Sequence, residues 1–114
     1  HPFQCEAPVS LLKEHGFLTP QTLHYVRNHG YAPKLSWSEH TIDISGLVNR
    51  PMKITMEELV QLPNITVPVT LNCAGNRRKE QNLIRKGIGF NWGCAAASTA
   101  IWTGVPLPVL MEHV

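Results

Sequence analysis

The segment TLNCAGNRRKEQN, residues 70–82, closes an apolar run on Cys73 and follows it with Arg77, Arg78 and Lys79. A free thiol ionises near pH 8.5, so only a few per cent is thiolate at pH 7. One cation a few ångström away favours the ionised form by roughly 1.4 kcal/mol or more at a partly exposed site. A strand end, a glycine turn and a helix start add backbone N–H groups without partners. Two jobs fit this arrangement. The sulfur is a nucleophile, or it is a soft metal ligand beside a cationic anchor for an anion. The plain alternative is a small buried cysteine followed by solvated bases.

Other chemistries are excluded by spacing. A phosphatase-type loop needs Arg six positions after its cysteine, where this chain has Lys79. Zinc needs about four N or S ligands, and neither C-x-x-C nor H-x-x-x-H occurs. GIGFNWG, residues 87–93, has its third glycine one place too late for a dinucleotide fingerprint and follows a helical pattern rather than a strand. No spacing supplies a general base for Cys73 as a nucleophile. A second polar cluster lies in HYVRNHG, residues 24–30. Arg27, Asn28 and His29 are consecutive, so only an extended or turning segment brings them to one ligand. There Arg grips a flat anion with two prongs, and Asn or His reads ring nitrogens or phosphate; the plain alternative is an ordinary loop.

These residues need elements to position them. PVSLLKEH with Gly16 reads as a short helix, and Thr19-Pro20 starts a brief turn. HTIDISGLV alternates as a half-buried strand, Asn49-Arg50-Pro51 turns, and MKIT returns. Thr55 and Glu58 form a capping box for a helix that runs through Leu62 and stops before Pro63. NITVPVTLN is a strand with Ile65, Val67, Val69 and Leu71 on one face, and Pro68 marks it as an edge or bulge. RRKEQNLIRK is expected as a helix, CAAASTAIW as a small-residue helix, and TGVPLP as a loop. Without a clean βαβ alternation, the fold class is α+β, a mixed sheet with short helices.

Composition narrows the field. The chain has 114 residues with 43% hydrophobic and 16% charged, an ordinary balance for one small domain or part of a larger one. A net charge of +2 gives no case for nucleic acid. Half of the ten Lys and Arg nevertheless fall within residues 77–86. No apolar run approaches a membrane span. Cys5, Cys73 and Cys94 are too few and odd in number for a disulfide framework, which points to a reducing compartment. The chain starts at His1 without Met and ends at Val114 after an apolar stretch, so both ends read as cut.

HPFQCEAP, GFLTP, LHYVRNHG and above all CAGNRRKEQN with GIGFNWG resemble the molybdenum domain of the eukaryotic assimilatory nitrate reductases, within the sulfite oxidase family. The resemblance runs from His1 through WTGVPL. It implies a sulfite-oxidase-type molybdopterin-binding domain, of which residues 1–114 are the N-terminal part. It also implies Cys73 as the protein thiolate on a molybdenum-molybdopterin centre. Tyr25, Val26, Arg27, Asn28 and His29 then stand at pterin-contacting positions, with Arg27 also near the substrate. Arg78 stands at the anion-binding arginine, and Trp92 at a nitrate-pocket position. The implied reaction is oxygen-atom transfer from nitrate to give nitrite. Electrons come from NAD(P)H through FAD and haem b in other domains of a cytoplasmic protein, a homodimer at full length. Cys5 and Cys94 are expected to be structural, and Trp37 and Trp102 to pack. The rival readings are a sulfite-oxidising member of the same family, a non-catalytic anion- or cofactor-binding module and, disfavoured for want of a general base, a thiol-nucleophile enzyme.

Overall fold

The computed structural model describes residues 2–114. Its first helix, α1 (Val9–His15), has Pro8 at the N-cap, where the missing N–H would have had no helical partner. Gly16 ends it at φ 77°, donating to the carbonyls of Leu12 and Lys13. A single 3-10 turn, Gln21–Leu23, follows Pro20. Strands β1 (Thr41–Ile44) and β2 (Met52–Thr55) pair antiparallel, with Asp43 opposite Lys53 and their side chains 3.3 Å apart. Helix α2 (Met56–Gln61) starts on the expected capping box: Thr55 accepts from the Glu58 amide while Glu58 accepts from the Thr55 amide.

Strand β3 (Ile65–Asn72) leads to Cys73 as expected. The bases that follow form only a four-residue helix, α3 (Arg78–Gln81), shorter than the expected RRKEQNLIRK helix. The expected helix over CAAASTAIW is instead strand β4 (Ala97–Gly104). The reason is partner choice. Thr66 meets Thr103 at 2.9 Å, Thr70 meets Thr99 at 2.8 Å, and the Cys73 amide donates to Ala96 at 2.9 Å, so β3 and β4 run antiparallel. Thr99, Ile101 and Thr103 are β-branched and suit the ladder, and the small residues that suggested helix–helix packing are buried beside it. The expected TGVPLP loop also ends early, because Pro106 and Pro108 open helix α4 (Leu107–Met111). Pro68 does sit on an edge, as every strand of a two-stranded sheet does. Of the apolar face of β3, Ile65, Val67 and Leu71 remain exposed. The content is α+β, with short helices and strands.

The contacts divide the chain into two compact units, His1–Ala32 with Pro68–Ile101 and Pro33–Val67 with Trp102–Val114. In the first, the buried residues are Gly75, Trp92, Ala95, Ala96, Ser98 and Thr99. The N-terminal segments are tied to this spine. Cys5 and Val26 form an antiparallel bridge, the Tyr25 amide donates to Ser98 Oγ at 3.2 Å, and the Thr19 amide donates to the Thr99 carbonyl at 2.7 Å. In the second unit, β1, β2 and α2 pack around Ile54. All the residues singled out for chemistry belong to the first unit.

Candidate active site

Cys73 lies where β3 gives way to a tight turn. Its amide donates to Ala96, its carbonyl accepts from Asn76 at 2.9 Å, and its Sγ accepts from the Gly75 N–H at 3.4 Å. The sulfur is half-buried and reduced. The turn is then zipped to the 92–96 segment. Asn76 Oδ1 accepts from Ala96 N at 3.2 Å, Arg77 N donates to Gly93 O at 2.6 Å, and Lys79 N donates to Trp92 O at 2.9 Å. Sulfur, turn and buried spine are therefore one hydrogen-bonded unit.

The adjacent arginines part company. Arg77 has left-handed backbone, φ 66°, which costs a non-glycine residue roughly 1–2 kcal/mol. Its guanidinium meets the Glu80 carboxylate at 2.6 and 3.0 Å, which lowers the Glu80 pKa below the ordinary carboxylate range. The expected trio of cations near Cys73 is thus reduced by one. Arg78 turns the other way. Its NH1 donates to the Phe90 carbonyl at 3.0 Å, and among the described residues it makes no ion pair. Its guanidinium lies against two glycines: a Cβ built on Gly75 would be 2.8 Å from NH1, and one on Gly89 2.5 Å.

Trp92 is buried, with 1% of its surface exposed, and its ring stacks edge-on against Phe90 at 4.6 Å and Tyr25 at 6.1 Å. Its ring edge also reaches Gly75. Trp92 thus touches both the turn and Tyr25. Burial, then the nearby Cys73, raise the Tyr25 pKa above its ordinary value, so the phenol stays protonated at neutral pH. The remaining residues of the second cluster form no helix, and His29 lies in a bend. Val26 is bridged to Cys5, Asn28 Nδ2 donates to the Phe3 carbonyl at 2.7 Å, and Arg27 bonds His29 Nδ1 at 3.2 Å on the surface. An open cavity of about 600 Å³ is lined by Pro2, Phe3, Gln4, Ile88, Gly89 and Phe90. Asn28 and Arg78 each hold a carbonyl of that lining. Cys94 is exposed and Cys5 half-buried, while Trp37 and Trp102 both reach the surface.

Glu6 was not singled out in the sequence. Its carboxylate accepts from Gly93 N at 2.5 Å and Ala95 N at 2.9 Å, fastening the N-terminal segment to the loop that faces Cys73. A Cβ on Gly93 would come 2.8 Å from that carboxylate, so only glycine lets it close. The signal available in sequence was a lone acid between two apolar stretches, which is no signal by itself.

Among the described residues no three His, Cys, Asp or Glu side chains converge on a metal-sized site. Cys73 therefore offers a single soft donor. That fits a metal already coordinated by an organic dithiolene, which asks the protein for one sulfur.

The class is then defined by comparison: the chain belongs to the oxidoreductase molybdopterin binding domain family, whose model matches residues 29–114. It is 60% identical over 114 residues to a protein of Solanum lycopersicum named nitrate reductase (NADH), covering 99% of this chain and 12% of that protein. A Volvox carteri protein of the same name is 59% identical over 111 residues, covering 97% and 13%. The chain thus spans about an eighth of the length of these curated relatives. Among solved structures, the sulfane dehydrogenase SoxCD of Paracoccus pantotrophus superposes with a TM-score of 0.71 at 28% identity, covering 86% of this chain and 25% of that one.

Proposed function

We propose that this chain is the N-terminal part of the molybdenum domain of a nitrate reductase, and that Cys73 and Arg78 carry its site. The carrying observation is the split fate of the adjacent arginines. Arg77 is paired with Glu80, while Arg78 has no carboxylate partner among the described residues and is held on two glycines and a carbonyl. An uncompensated guanidinium in a fixed seat is an anion anchor. Nitrate is planar with three equivalent oxygens, so a guanidinium fork suits two of them and leaves the third for the metal. The choice of nitrate among oxyanions rests on the relatives' names, as does NADH as the electron source.

Bound molybdenum-molybdopterin supplies the oxygen-atom transfer and its two-electron change. The chain's own residues hold and orient. Cys73 supplies the sulfur donor, and the Gly75 N–H aimed at Sγ complements its negative charge. Tyr25, Val26, Arg27, Asn28 and His29 would hold the pterin, with Arg27 also near the substrate. Tyr25 stays a proton donor there for the reason given above. Trp92, being buried, acts on nitrate through the turn it supports. Haem b, FAD, a cytoplasmic setting and a homodimer belong to the same proposal for the whole protein.

The experiment is a dye-driven assay on the holoenzyme that carries this sequence. Reduced viologen should drive nitrate to nitrite, and metal analysis should find molybdenum. The likeness to SoxCD favours one second reading, oxidation of a sulfur substrate. Sulfite oxidation without nitrite formation would establish it, and absence of molybdenum would leave a binding module.

A further inference from the structure

We propose that Gly89 is a positioning residue for the substrate anion's fork, because its missing side chain is the seat of the Arg78 guanidinium. The inference rests on the oxyanion-binding reading of Arg78 above. Gly89 does not owe its identity to the backbone, since its φ lies outside the left-handed region that favours glycine. What it provides is space. A Cβ there would lie 2.5 Å from Arg78 NH1, 2.7 Å from Cζ and 3.1 Å from Nε, so the flat face of the guanidinium rests on the Gly89 backbone. A Cβ on Gly75 would also meet the group, NH1 at 2.8 Å and NH2 at 2.9 Å. Two glycines thus leave room for the fork, and its NH1 donates to the Phe90 carbonyl at 3.0 Å. Among the described residues that is its one hydrogen bond, so most of its five N–H groups stay available for an anion. Gly89 also lines the 600 Å³ cavity, which places the seat at an open edge.

Adding a methyl at Gly89 therefore forces a choice. Ordinary contact starts near 3.4 Å, so the guanidinium must retreat by about 1 Å from its present 2.5 Å. The atoms in the way are the far end of a flexible side chain, so folding is barely affected. The anion fork is affected, because misplacement by about 1 Å costs on the order of a hundredfold in a reacting geometry. Gly75 is the less informative site, since a methyl there would also strike the buried Trp92 ring at 2.8 Å.

The test uses full-length holoenzyme with Gly89→Ala, Arg78→Lys and the double variant. Gly89→Ala should raise KM for nitrate at least about tenfold, with molybdenum content, the metal's spectroscopic signature and Tm matching the parent. In the Arg78→Lys background the same substitution should change KM less than about twofold, because the fork it displaces is gone. An unchanged KM in Gly89→Ala overturns the inference. So does an equal penalty in both backgrounds, or a loss of molybdenum. If the parent enzyme makes no nitrite, the nitrate reading falls on that result alone. The same ratio between backgrounds, measured on sulfite oxidation, then decides the role of Gly89.

Discussion

Removing the Glu6 carboxylate should loosen the loop opposite Cys73 and lower stability well beyond what a surface acid would. Glu6 is half-buried and accepts from two backbone amides, Gly93 N at 2.5 Å and Ala95 N at 2.9 Å. Hydrogen bonds to a charged group contribute about 1.5–3 kcal/mol each, and a buried donor left unpaired costs about 1–3 kcal/mol. Ala95 is itself buried, so its N–H has no ready water to replace the carboxylate. Allowing for partial exposure of the acid, Glu6→Ala should cost about 3 kcal/mol. At about 2–4 °C per kcal/mol for a domain of 150–250 residues, that lowers Tm by roughly 6–12 °C. Glu6→Gln separates charge from packing. It keeps the stem and one acceptor but turns an NH2 toward the other amide, so it should lose about half as much. The assay is a thermal scan of holoenzyme at fixed scan rate, with molybdenum measured before and after. A Glu6→Ala enzyme melting within about 2 °C of the parent with full metal would refute the clamp, as would a Glu6→Gln enzyme that behaves like the parent.

Three further outcomes are expected. Cys73→Ser replaces a soft donor by a hard one, so nitrate reduction should be almost abolished and X-ray absorption should show one sulfur fewer around molybdenum; retained activity would refute the assignment. Trp92→Ala empties a site that is 1% exposed and should cost about 3–5 kcal/mol, read as poor soluble yield or loss of cofactor. Thr55→Ala removes the cap of α2 and should cost about 1 kcal/mol. The backbone and side-chain bonds from Thr55 lower the Glu58 pKa, so the stability they add is present above the unfolded carboxylate pKa and is lost as pH falls through the lower folded value. The gap between Thr55→Ala and parent should therefore narrow in acid, and thermal scans at descending pH check it.

What could be read in the sequence was whatever is decided locally. The Thr55–Glu58 box needs only four consecutive residues, and the structure forms it. Pro8 and Gly16 bracket α1 for equally local reasons. The β1–β2 hairpin follows from alternation and a turn. The failure at CAAASTAIW is of another kind. Alanine has the highest helix propensity, but the Ala96 carbonyl and amide are claimed by Cys73 and Asn76, and Thr99 by Thr70. Those partners lie 20 or more residues away, and no window along the chain displays them. α3 is short because, past Gln81, the Leu83 and Ile84 amides donate only three residues back, to Glu80 and Gln81, and Gly87 N donates to the Asn82 side chain, so the chain tightens into turns.

The site was legible as a set of residues but not as a division of labour among them. Spacing presented Arg77, Arg78 and Lys79 as equivalent cations behind Cys73. Only the left-handed backbone at Arg77 separates them, aiming one guanidinium at Glu80 and leaving its neighbour for the glycine slot. Glu80 and Gly89 are therefore as much a part of the charge pattern as the arginines, one by pairing with a charge and the other by leaving room for one. Glu6 extends the same logic. Its carboxylate is answered by two backbone amides, Gly93 N and Ala95 N, and among the described residues it forms no ion pair with Arg78. A guanidinium needed for an incoming anion must be held by neutral groups, and here a carbonyl and two missing side chains do the holding.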